Sequence, residues 1–143
     1  MTQEDKELLL KDLCARLPYG VKVKLGDNPN IFDLEYRIKF AVMYGDSDKL
    51  EDILDITNIK PYLFPMSPMT HEQKKELIAY AGYEKREEDV GYHSETYYYD
   101  LVGHENELYP NSDAIDWFNK NHFDYRGFIE KGLALDATGL NIY

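Results

Sequence analysis

Val21-Lys22-Val23-Lys24-Leu25-Gly26-Asp27-Asn28-Pro29-Asn30 is the stretch on which the fold class turns. Val21, Val23 and Leu25 alternate with Lys22 and Lys24, the period of a strand with one buried face. Gly26 to Asn30 are all turn formers. Beyond them Leu34, Tyr36, Ile38 and Phe40 alternate with Glu35, Arg37 and Lys39. That second alternation predicts another strand, and the pair predicts a small antiparallel meander or partly open barrel.

Upstream of this unit the sequence predicts a helix over residues 3–16. Thr2 is placed to cap it, with Glu4 and Asp5 in the first turn. Leu9, Leu10, Leu13 and Leu17 recur at helical spacing, while Lys6, Lys11 and Asp12 take the other side. Leu17-Pro18-Tyr19-Gly20 ends the helix. Cys14 falls on the apolar stripe and reads as a small buried hydrophobe.

Downstream, Gly45-Asp46-Ser47-Asp48 reads as a turn. Residues 50–56 fit a short helix or a third strand, with strand preferred. Pro61, Pro65 and Pro68 fall within eight residues and predict an extended connector over Ile59–Met69. Thr70 with Gln73 forms a capping box ahead of a helix over 71–81, with Leu77, Ile78 and Ala81 inward. Tyr97-Tyr98-Tyr99-Asp100-Leu101-Val102 has strand composition. Pro110-Asn111-Ser112-Asp113 opens a further helix carrying Ile115, Trp117 and Phe118. Phe128, Ile129, Leu133, Leu135, Leu140 and Ile142 make the tail apolar enough to pack back. The expectation is one α+β domain over 1–143: an N-terminal helix, the small sheet, two further helices and a packed C-terminal tail.

Composition restricts function. Sixteen Lys and Arg stand against 27 Asp and Glu, a formal charge of −11. That field disfavours direct nucleic-acid binding and anionic membranes, and suits a basic partner or simple solubility. The single cysteine excludes an intramolecular disulfide. No apolar run approaches a membrane span, and the acidic start has no signal-peptide core, so the cytoplasm is the expected compartment. A P-loop, a G-x-G-x-x-G turn and a G-x-S-x-G elbow are all missing from the sequence. His71, His93, His104 and His122 match no metal-site spacing. No cofactor and no catalytic residue is expected.

The candidate binding residues are aromatic and basic. Tyr97, Tyr98 and Tyr99 place at least one ring on a strand's outer face. His122-Phe123-Asp124-Tyr125-Arg126-Gly127 is the densest polar–aromatic segment, and Arg126 offers a fork for a carboxylate or phosphate. The preferred reading of the segment is structural, pinning the C-terminal tail to the preceding helix, with the ligand role as the alternative. Lys60 and Tyr62 join this set. Lys22, Lys24, Lys60 and Arg126 are the cations available for a local basic pocket.

Leu17-Pro18-Tyr19-Gly20-Val21, Ile59-Lys60-Pro61-Tyr62-Leu63-Phe64-Pro65-Met66-Ser67, the run Trp117 to Gly127, and Lys131-Gly132-Leu133-Ala134-Leu135 carry a family resemblance. In order and spacing they resemble a family of small proteins encoded by phages, prophages and mobile elements of gut anaerobic bacteria. The resemblance covers most of the chain and is weakest over residues 83–109. It implies an accessory protein acting in the host cytoplasm on a host component, and it carries over no catalytic residue. The function expected is therefore non-catalytic binding of a host protein, with counter-defence as one setting. The alternative is sequestration of a small nucleotide-like ligand, and an enzyme ranks last.

Overall fold

A computed structural model of the chain describes residues 1–43, 45, 55–67, 69–80 and 112–143. Helix α1 spans Gln3–Arg16 and opens on a complete capping box. Thr2 Oγ1 accepts from Asp5 N at 3.0 Å, and Thr2 N donates to an Asp5 carboxylate oxygen at 3.2 Å. A 3₁₀ turn over Leu17–Tyr19 closes it, and Gly20 follows at φ 73°, a conformation that only glycine takes without strain.

Strands β1 (Lys22–Leu25), β2 (Phe32–Asp33), β3 (Ile59–Leu63) and β4 (Leu135–Asp136) form one open sheet in the order β2-β1-β3-β4. β1 pairs antiparallel with β2 and β3, whereas β4 runs parallel to β3. The sheet is thus mixed and not closed, within the expected α+β class with its N-terminal helix. The first part of the proline-rich connector, Ile59–Leu63, proves to be an interior strand of the sheet. β4 begins opposite Tyr62, so Pro61 lies where β3 has only its β1 neighbour. That position lets a residue lacking an N–H sit inside a sheet.

The expected strand over Leu34–Phe40 is instead helix α2, Leu34–Met43. The same residues satisfy a helical period. Leu34 and Ala41 are buried, and Ile38 packs against the same core. Glu35 and Lys39 pair at 2.9 Å, four residues apart, and Tyr36 lies against Phe40 with ring centroids 6.1 Å apart. Asp33 Oδ1 accepts from Tyr36 N at 2.9 Å and starts the helix. Alternation over seven residues cannot outvote a cap plus two (i, i+4) pairs. The turn near residue 46 and the ambiguous stretch to residue 54 lie outside the described residues. Ile56–Asn58 is a 3₁₀ turn.

Helix α3 covers His71–Tyr80 and α4 covers Ser112–Lys120. The Thr70–Gln73 box caps α3 in both directions, at 2.9 and 3.2 Å. The core has two parts. Leu9, Leu13, Val21, Val23, Ile59 and Leu63, with Phe128 and Leu133 from the tail, join α1 to the inner face of the sheet. Met69, Leu77, Ala114, Trp117, Phe118 and Phe123 join α3 to α4. The indole of Trp117 stacks on Phe123 at 5.4 Å.

Three expectations on α1 are corrected. Asp12, placed by the pattern on the solvent side, is fully buried; Cys14 and Leu10, placed on the apolar stripe, are exposed. The buried stripe is Leu9, Asp12, Leu13 and Arg16. An ion pair four residues apart lets the helix bury charge where the leucine pattern alone suggested a different face.

Candidate functional site

The polar–aromatic segment forms the turn that follows α4. Phe123 N donates to Phe118 O at 2.9 Å and Asn121 N to Trp117 O at 3.0 Å, closing the helix end. His122 then takes φ 63°, uncommon for a residue with a Cβ. The turn is stitched to the end of β3: Phe64 N donates to His122 O at 2.8 Å, and Asp124 N to Phe64 O at 2.9 Å. Asp124 is buried. Its carboxylate accepts from Phe128 N and Ile129 N, both at 2.8 Å, and so fixes the start of the tail.

Beneath this turn sits a buried charge cluster. Arg16 and Asp12 are both fully buried. Arg16 Nε donates to Asp12 Oδ2 at 2.7 Å, and Nη2 reaches Asp12 Oδ1 at 3.3 Å. The guanidinium also donates to Phe123 O at 2.6 Å and Phe118 O at 3.5 Å. Arg126 Nε donates to Asp12 Oδ1 at 3.3 Å from a partly exposed position. Desolvation of the two ions is offset only because nearly every donor has an acceptor. Tyr125 lies over the cluster, with Arg126 4.9 Å from its ring centroid and Arg16 5.6 Å. Burial pushes its hydroxyl above the usual tyrosine range.

A second cluster forms at the β3 end of the same turn. The His122 ring stacks on Tyr143 with centroids 3.6 Å apart, and Phe64 meets Tyr143 edge-on at 5.8 Å. The Tyr143 hydroxyl donates to Tyr62 O at 2.7 Å and accepts from Lys22 N at 2.8 Å, across β3 and β1. Burial raises that phenol to about 12. His122 Nδ1 is buried with no hydrogen-bond partner among the described residues. Burial, with Arg16 and then Lys22 nearby, lowers the imidazole to about 4, so the ring is neutral near pH 7.

The outer face of the sheet carries the lysines. Val23 turns inward to the core, so Lys22 and Lys24 face out. Lys24 stands directly opposite Lys60 in the β1–β3 register. Lys22 Nζ pairs with Asp33 at 3.2 Å. Burial opposes ionisation of Asp33, but hydrogen bonds from Tyr36 N and Lys22 win and hold its carboxyl below the usual range. Neither Lys24 nor Lys60 has a carboxylate partner among the described residues.

The structure therefore divides the expected site residues into groups. Asp124, Tyr125 and Arg126 gather around Asp12 and Arg16. His122 and Tyr62 meet through Tyr143, with Lys60 on the adjoining sheet face. Arg126 points to Asp12 rather than joining the lysines. Tyr97, Tyr98 and Tyr99 lie outside the described residues. Sequence reasoning missed Asp12, Arg16, Phe64 and Tyr143. The four-residue spacing of Asp12 and Arg16 was a usable signal; Tyr143 gives none, since its partners are 81 and 121 residues away.

Other chemistry is sparse among the described residues. No three His, Cys, Asp or Glu side chains converge on a metal position, and no helix is long and apolar enough to cross a membrane. An apolar cavity of about 180 Å³ lies between α1 and α2, with Cys14 and Ile38 on its wall. No family model matches the chain, and no curated protein or solved structure matches it either.

Proposed function

We propose that this chain is a non-catalytic binding protein. The observation supporting this reading is how the charged side chains in and beneath the His122–Gly127 turn, and the Tyr143 hydroxyl beside it, are used. Asp124 is spent on two backbone N–H groups, Arg126 and Arg16 on Asp12, and the Tyr143 hydroxyl on two strands. General acid–base work needs a group poised to exchange a proton with substrate. These groups instead hold fixed structural bonds, and the buried His122 imidazole sits far below neutral pH in its titration. What the protein offers a partner is surface: the lysine face and the exposed Tyr36, Val42 and Met43 on α2.

The resemblance in sequence suggests the setting, a mobile-element accessory protein that modulates a host component in the cytoplasm, with counter-defence one form of this. The test is affinity capture from a bacterial lysate, with mass spectrometry on both the protein and the small-molecule fractions. A stoichiometric partner that persists in gel filtration supports the reading. Chemical conversion of the recovered small molecule by the purified chain would sink it. The lysine face favours a second reading, capture of a small anion.

A further inference from the structure

Lys24 and Lys60 face each other across adjacent strands. Directly opposed side chains on one sheet face have Cβ atoms about 4.5–5.5 Å apart, and like charges there are destabilising. Among the described residues no carboxylate relieves this pair, although Asp33 relieves Lys22 two positions away. Both lysines are only partly exposed, the burial expected of stems that lie along the sheet with their ammoniums in water. Two lysines opposed in this way suit one doubly charged anion bridging them.

An aromatic ring from the C-terminal tail lies beside these strands. Tyr62, two residues beyond Lys60 on β3, shares its face but is buried, so the ring open to a ligand is that of Tyr143. Tyr143 bonds to Lys22 N and Tyr62 O, which places its hydroxyl about 7 Å along β1 from Lys24 at the usual strand rise. Its ring, braced by His122 and Phe64, is partly exposed. A planar group beside the phosphate position meets a pre-set aromatic surface.

We propose that this outer sheet face binds a free nucleoside monophosphate, with its phosphate between Lys24 and Lys60 and its base against Tyr143. The proposal rests on the binding-protein reading. A small ligand is favoured over RNA because the −11 chain repels a polyanion at long range, while a single phosphate feels mainly the two lysines.

Titration calorimetry on the full chain at low salt tests this, with adenosine 5′-monophosphate as the probe. Adenosine and inorganic phosphate are each expected to bind at least about tenfold more weakly than the nucleotide, since each keeps only half of the contacts. Lys24→Met and Lys60→Met should each weaken nucleotide binding about tenfold, the usual size of one charge-assisted hydrogen bond. Neither variant should lower the melting temperature of the free protein, because each removes a repulsion. No nucleotide binding, or binding unchanged in both variants, overturns the proposal. So does a lowered melting temperature in Lys60→Met, which would mean the pair is not uncompensated. Tighter binding of a single-stranded oligoadenylate per nucleotide overturns the choice of a free ligand. Failure on any of these counts leaves the lysate capture to judge the broader reading separately.

Discussion

Replacing Arg16 with methionine isolates the buried charge cluster. The variant keeps the long apolar stem but removes the guanidinium. Asp12, with no solvent exposure, is left with Arg126 as its remaining described partner, at 3.3 Å. The carbonyls of Phe118 and Phe123 lose their Arg16 donor as well. Removing one member of a buried pair costs about 3–5 kcal/mol, because the other charge stays buried. A domain of this size has about 5–15 kcal/mol in total, so the variant should be severely destabilised. Its melting temperature should fall on the order of 10 °C. The assay is urea unfolding followed by the emission of Trp117, the single tryptophan and a buried one. The double variant Asp12→Leu with Arg16→Met should recover most of the loss, since no lone charge remains and Arg126 is exposed enough to be resolvated. An Arg16→Met cost below about 1 kcal/mol, the range of a surface ion pair, would refute the reasoning. So would a double variant as unstable as the two single costs added together.

Three further outcomes follow from the structure. His122 titrates at about 4 in the folded chain against an ordinary 6.5, so the unfolded chain binds more protons between those values. Stability should therefore fall as pH drops from about 6.5 to about 4, and His122→Asn, which tolerates the left-handed backbone, should flatten that part of a denaturant-midpoint profile. An unchanged slope would place the titration elsewhere. Asp124→Ala strips two buried backbone N–H groups of their acceptor and should cost about 2 kcal/mol or more, read as a lower urea midpoint, with faster amide exchange at Phe128 and Ile129. Slow exchange retained at both amides would show that the carboxylate is dispensable there. Cys14 is exposed, so it should react with a thiol reagent in the folded chain nearly as fast as in urea, and Cys14→Ser should change stability by no more than about 0.5 kcal/mol. Strong protection of the thiol would contradict its position.

Most of the local signals, those carried by neighbours in sequence that are also neighbours in space, were legible. The caps at Thr2 and Thr70, the β1 alternation and the α4 apolar face all depend on contacts within four residues. The α2 segment shows the limit of that reading. Leu34 to Phe40 satisfies both a period of two and a helical period, and the decision fell to Asp33 capping Tyr36 N. At the site, the sequence exposed the dense segment His122–Gly127 but not what it would contact.

By itself the sequence determined the α+β class, the N-terminal helix, the acidic charge and the segment richest in polar and aromatic groups. It could do so because helix caps, strand alternation and net charge are local or additive properties. Only the tertiary structure decided that Pro61 sits in a central strand, that Asp12 and Arg16 are buried together, and that Lys24 opposes Lys60. Pro61 and the lysine pair depend on strand pairing between residues far apart in the chain. The Asp12–Arg16 pair, though only four residues apart, is buried by Phe118, Phe123 and Arg126 more than a hundred residues away, so burial and desolvation rather than local preference set the outcome. The alternation of Val21 to Leu25 announced a strand; its partner β3, 36 residues away between Lys24 and Lys60, made that strand's polar face a candidate site.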